Sequence, residues 1–185
     1  MTTTANAETL RIADQLRRAF DGNAFHGDPL SKILAGVSVE QAAAHPVAGA
    51  HSIWELLLHV EAWMRVTAEA IAGKAMPGWP VAGDGSDFVD WPAVPQPTAE
   101  AWQAAVASLF ATGRQLSERI AQSSDSRLSE LVPGRKYDFY FLLHGIVQHS
   151  LSRWTDRAAE EVGTGGWLKP EDDCGMNVKC HCRRG

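Results

Sequence analysis

Two of the seven histidines, His59 and His149, lie well inside stretches of helical apolar periodicity, where a side chain can face a bundle interior. His59 follows Leu56 by three and precedes Trp63 by four, at the edge of one apolar stripe. His149 follows Ile146 by three and Leu142 by seven, on the inner side of a later stripe. Residues three and four apart are neighbours on a helix surface, and bundle cores commonly house metal sites. Two neutral imidazoles converging from facing helices suit Zn, Ni, Cu or Fe. The rival reading is structural: each is a core-edge histidine hydrogen-bonded to a backbone or side-chain partner. Spacing alone favours that rival, because a catalytic zinc normally has three protein ligands and an open position.

The remaining candidates carry weaker signals. His144 precedes His149 by five, so the two cannot both face the centre, and a structural role is expected for it. His51 precedes a helix cap and can reach the mouth of a site, but a solvated loop histidine is the default. His26 and His45 fall in loops. Cys180-His181-Cys182 has ligand types but lacks the paired spacing of zinc sites. Glu55 and Glu61 read as a helix cap and a solvent-exposed residue rather than as acid–base groups. No nucleophile elbow, phosphate loop or HExxH motif is present.

The elements that must position these groups are helices. Leu10, Ala13, Leu16, Ala19 and Phe20 give one apolar face over residues 7–20. Short turns follow over 29–34 and 38–41, where Ser38 and Gln41 have capping-box spacing. Ser52 and Glu55 repeat that spacing ahead of a helix running to about residue 72, with Ile53, Leu56, Leu57, Val60, Met64 and Ile71 inward. Residues 74–97 are rich in Pro, Gly and Asp, with Trp79 and Trp91 among them, and read as a crossover loop. Loops that long often sit over a functional cleft. Thr98 caps a helix over 99–121, with Trp102, Val106, Leu109, Phe110, Leu116 and Ile120 inward. Asp138 caps a last one through Phe141, Leu142, Ile146 and Leu151. The fold class expected is all-α, an antiparallel four-helix bundle with one long crossover.

Composition narrows the function classes. A chain of 185 residues with 45% hydrophobic and 21% charged residues is expected to form one domain, over 1–162, with a disordered tail over 163–185. A net charge of −5 offers no basic field for nucleic acid. The N-terminus lacks a signal-peptide pattern and no apolar run reaches bilayer length, so a soluble cytoplasmic protein without membrane partners is expected. All three cysteines, Cys174, Cys180 and Cys182, lie in the tail, so no disulfide framework holds the fold.

At His51-Ser52-Ile53-Trp54-Glu55-Leu56-Leu57-Leu58-His59-Val60-Glu61-Ala62-Trp63, and again at Leu143-His144-Gly145-Ile146-Val147-Gln148-His149-Ser150-Leu151, the chain closely resembles the DinB-like family. The likeness runs over roughly residues 7–151, including Phe25-His26-Gly27 and Ala42-Ala43-Ala44-His45-Pro46. The resemblance implies an antiparallel bundle holding a divalent metal such as Zn or Ni on three histidines, one from the second long helix and two from the fourth. It implies a metal-dependent hydrolase or a thiol transferase, and suggests a homodimer. The substrate, the metal and any thiol cosubstrate are left open. Carried over, His59 matches the first ligand and His149 the second. The third position holds Arg153, which stays protonated, offers only donors and repels a cation. Metal binding is therefore expected to be weak or lost. The alternative is a non-catalytic helical bundle that binds a small molecule or another protomer.

The departure at Arg153 reads as a frame slip just after Leu151. Residues 152–161 can be written TCA CGC TGG ACA GAT CGC GCT GCT GAA GAA. From the second base this becomes His-Ala-Gly-Gln-Ile-Ala-Leu-Leu-Lys-Lys, close to the family's usual continuation. Trp154 followed by Thr155 forces the glycine codon in the shifted frame.

Overall fold

Ser52 accepts from the Glu55 amide at 3.1 Å, and the Glu55 carboxylate accepts from the Ser52 amide at 2.7 Å. This reciprocal cap, anticipated from spacing, starts the helix that carries His59. In the computed structural model, which describes residues 6–24, 27–46, 49–77 and 88–161, with side chains described through residue 151, that helix is the fourth. The helices are α1 (Ala7–Asp21), α2 (Leu30–Ile33), α3 (Val39–Ala43), α4 (Ile53–Ile71), α5 (Ala99–Ala121) and α6 (Phe139–Glu161), with a 3-10 turn at Asp125–Ser129. Among the described residues there is no strand, only an isolated bridge between Leu131 and Asp138. None of their helices is long and apolar enough to cross a membrane. The expected tail over 163–185, Trp79 and His26 lie outside the described residues.

The local start signals hold along the chain. Ser38 and Gln41 form the second capping box, Thr98 accepts from the Ala101 amide at 3.2 Å, and Asp138 accepts from the Phe141 amide at 2.9 Å. Gly73 follows α4 with a φ of +91°, a left-handed conformation that glycine adopts without a Cβ penalty.

The four long helices pack in a cycle: α1 on α5, α5 on α4, α4 on α6 and α6 on α1. Ile12, Leu16, Trp54, Leu57, Val60, Leu109, Leu116, Ile120 and Leu143 fill the space between them, each 0% or 1% exposed. Gly113 lets α1 approach α5 closely, since a Cβ there would meet the Phe20 ring at 3.0 Å. A smaller cluster of Val66, Met76, Val132, Phe139 and Leu142 closes the region where α4 ends and α6 begins.

Two of the expected inward residues point outward. Leu10 is 45% exposed and Phe141 65% exposed. The buried face of α1 is centred on Thr9, Ile12, Ala13, Leu16 and Phe20, which leaves Leu10 on its flank. On α6 the buried residues Phe139, Leu143, Ile146 and Ser150 recur at three and four, and Phe141 falls on the opposite side.

Glu61 also departs from expectation: it is buried rather than solvated. Its Oε1 accepts from Arg65 Nη2 at 2.5 Å, Ser108 Oγ at 2.7 Å and Thr112 Oγ1 at 3.2 Å, tying α4 to α5. Removing the carboxylate leaves the Thr112 hydroxyl buried without this acceptor. Glu61→Ala is expected to lower the unfolding free energy by about 1–3 kcal/mol, read from urea denaturation.

The start of α1 is capped from a distance. Asn6 makes no side-chain cap; instead the Asp125 carboxylate accepts from the Thr9 amide at 3.0 Å and the Glu8 amide at 3.0 Å. The Thr9 and Glu8 amide bonds hold the Asp125 carboxyl below its ordinary value, against a smaller opposing effect of burial. A group whose folded pKa is depressed stabilises above its unfolded pKa and loses that contribution as pH falls through the folded one. Thermal melts between about pH 6 and pH 3 are therefore expected to lose stability less steeply for Asp125→Ala than for the parent chain.

Candidate functional site

α4 and α6 lie side by side, and the stripes that bury Val60 and Ile146 bring His59 and His149 to the seam between them. Their Nε2 atoms stand 3.1 Å apart, with ring centroids at 5.0 Å and planes inclined by 52°. His59 is 3% exposed, and His149 is half-buried. The two residues singled out in the sequence therefore meet.

The other nitrogen of His59 is fixed by the chain segment that leads into α5. His59 Nδ1 stands 2.8 Å from the Asp90 carbonyl oxygen and 3.2 Å from Asp90 Oδ1. A carbonyl oxygen can only accept, so Nδ1 carries the hydrogen. In the neutral imidazole Nε2 is then a bare lone pair, and it faces His149. Two lone pairs facing one another at this separation would repel, so the 3.1 Å contact needs a hydrogen on one of the two Nε2 atoms or a cation between them.

Aromatic rings surround the pair. Trp91 stacks on His59 with centroids 3.9 Å apart and planes within 9°. The far face of Trp91 carries His51, stacked at 3.5 Å. Trp63, one turn beyond His59, donates from Nε1 to Asp90 Oδ1 at 2.6 Å and meets Phe88 edge-on at 5.0 Å. His51 is thus part of the site's wall, and not merely a solvated loop residue. Sequence reading placed a tryptophan-bearing loop over a cleft and found Trp91, but missed Asp90, which has no periodic or motif signal. The one hint was Trp63, four residues from His59 on the same helix face.

Of the other described histidines, His45 and His144 lie outside this wall. His45 Nε2 is 2.9 Å from Glu55 Oε2, and His51 Nδ1 is 3.6 Å from the same oxygen. Burial pushes the Glu55 carboxyl up, but the Ser52 amide and His45 outweigh it and hold it below its ordinary value. Glu55 is accordingly an ionised cap at neutral pH, as the sequence suggested. His144 packs on the Tyr140 ring at 4.4 Å and approaches Glu8 at 3.8 Å, away from His149, in keeping with a structural role.

Among the described residues, no three His, Cys, Asp or Glu side chains converge on one point. Position 153 lies one helical turn beyond His149 on α6, with its side chain outside the described part. A family model described as DinB superfamily matches residues 25–154, which span both histidines. No curated protein and no solved structure matches the chain.

Proposed function

The chain belongs to the DinB superfamily, and from that premise we propose that its packed long helices form an antiparallel four-helix bundle whose seam is a divalent-metal site of a hydrolase or thiol-transferase type, disabled in part by Arg153. The observation that carries this reading is the 3.1 Å between the Nε2 atoms of His59 and His149. Two imidazoles bound to one Zn or Ni ion at about 2.0–2.1 Å stand about 2.9–3.4 Å apart for bond angles from roughly 90° to tetrahedral. The pair already has that separation, and the lone pair of His59 points into it. These two residues fit a metal; the third family position does not.

When bound, the ion would lower the pKa of a water or thiol and supply a nucleophile near neutral pH. The chain's own contribution is to hold two donors at the right spacing and to wall the site with Trp91, Trp63 and His51. Arginine at the third position removes a donor and adds a fixed positive charge. The matched span ends at residue 154, in line with a frame slip just after Leu151. Resequencing the coding DNA tests that slip: an alternative frame encoding the histidine motif supports it, and the absence of one refutes it.

Metal content tests the site itself. The Arg153→His chain is expected to take up about one Zn or Ni per chain at a three-donor site, and to lose that uptake when His59→Ala is added. Retention of the same metal content after His59→Ala would instead put the metal away from His59 and favour a non-catalytic bundle.

A further inference from the structure

His59 is a usable donor only if its ring is turned one way and its hydrogen sits on Nδ1, and partners of the ring must hold both conditions. The groups that do so come from the loop segment at Asp90 and Trp91, 31 residues downstream of His59. The Asp90 carbonyl receives the Nδ1 hydrogen at 2.8 Å. The Asp90 carboxylate stands 3.2 Å from the same nitrogen and is gripped by the Trp63 indole N–H at 2.6 Å. Trp91, the next residue, covers the ring face at 3.9 Å.

We propose that Asp90 is the positioning residue of the site: its carboxylate, pinned by Trp63, locks the loop backbone against His59 and holds the imidazole with Nε2 bare toward His149. The inference rests on reading the His59–His149 pair as a metal site, and it adds a supporting residue from a separate segment. A carboxylate or carbonyl behind a ligating imidazole fixes its tautomer and orientation, and removing such a partner typically weakens metal binding tenfold to a hundredfold. The same carboxylate places a negative charge within one ring of the cation it would help to hold. Trp63 thereby has a directional task that its packing on Phe88 would not require: it anchors Oδ1 of Asp90, while His59 takes the main-chain oxygen of the same residue.

Two readouts on the full chain separate this role from that of the metal. Long-range nitrogen–proton NMR of the metal-free protein reports which His59 nitrogen is protonated. The parent chain is expected to show Nδ1 protonated and Nε2 bare. Asp90→Ala is expected to give a mixture of the two tautomers, whereas Asp90→Asn, whose amide oxygen can still accept from Trp63, keeps the parent pattern. Trp63→Phe removes the indole N–H and retains an aromatic ring, so it is expected to shift the tautomer in the same direction as Asp90→Ala and gives the answer if that variant does not fold. In the Arg153→His background, Asp90→Ala is expected to weaken Zn binding by about tenfold or more, with Asp90→Asn restoring most of it. A His59 tautomer unchanged in both Asp90→Ala and Trp63→Phe overturns the proposal. A shifted tautomer with no Zn bound by any variant upholds the positioning role and overturns the metal reading instead.

Discussion

Arg153→His is expected to raise the affinity for Zn or Ni by on the order of a hundredfold. Position 153 follows His149 by four, so on a continuous α6 it shares the face that carries His149. An imidazole there adds a third donor to a pair whose Nε2 atoms already stand 3.1 Å apart. The change has two parts. It removes a guanidinium that is always charged and offers only donors, and it supplies a lone pair. Closed four-ligand zinc sites contribute about 10–16 kcal/mol, or roughly 2.5–4 kcal/mol per ligand, which sets the scale of the gain. Equilibrium dialysis of the two chains side by side reads it directly. Equal occupancy would sink the assignment of position 153 to the site.

The largest effect on stability is expected at Trp54. This side chain is wholly buried on α4 and meets Trp102 of α5 edge-on, with centroids 5.2 Å apart. Truncating a buried tryptophan removes its apolar area and leaves a cavity that the surrounding helices fill only in part, at a cost of about 3–5 kcal/mol. For a chain of this length each kcal/mol corresponds to a fall in Tm of about 2–4 °C, so Trp54→Ala is expected to melt roughly 6–20 °C lower. A thermal melt followed by circular dichroism measures the shift. A change of less than about 1 kcal/mol would mean that the Trp54–Trp102 contact is not part of the core, because mutations of that size are ordinary at exposed positions. The two substitutions separate the functions of their helices: one removes core, the other adds a donor at the seam.

What could be read from the sequence was local. The caps at Ser38, Ser52, Thr98 and Asp138 each rest on a side chain within three residues of the amide it satisfies, and each was legible. Helical periodicity brought His59 and His149 to inner faces, and their meeting follows from the packing of α4 on α6. It located stripes less well at their margins, where Leu10 and Phe141 turn outward. The features that escaped are made between distant parts of the chain. Asp125 caps a helix 116 residues upstream at Thr9, and neither residue carries a pattern that names the other. Glu61 reads as a solvent-exposed residue until Ser108 and Thr112 arrive from α5. Asp90 sits in a stretch of Pro, Gly and Asp where any carboxylate looks solvated. These contacts depend on how the helices dock, which periodicity along one helix does not specify.

The most direct measurement is anomalous diffraction from crystals of the Arg153→His chain grown with Zn. A single peak bonded to Nε2 of both His59 and His149, with Nδ1 of His59 still on the Asp90 carbonyl, is the expected result. Zinc bound elsewhere, or the two imidazoles turned apart toward solvent, would contradict the convergence on which the whole account rests.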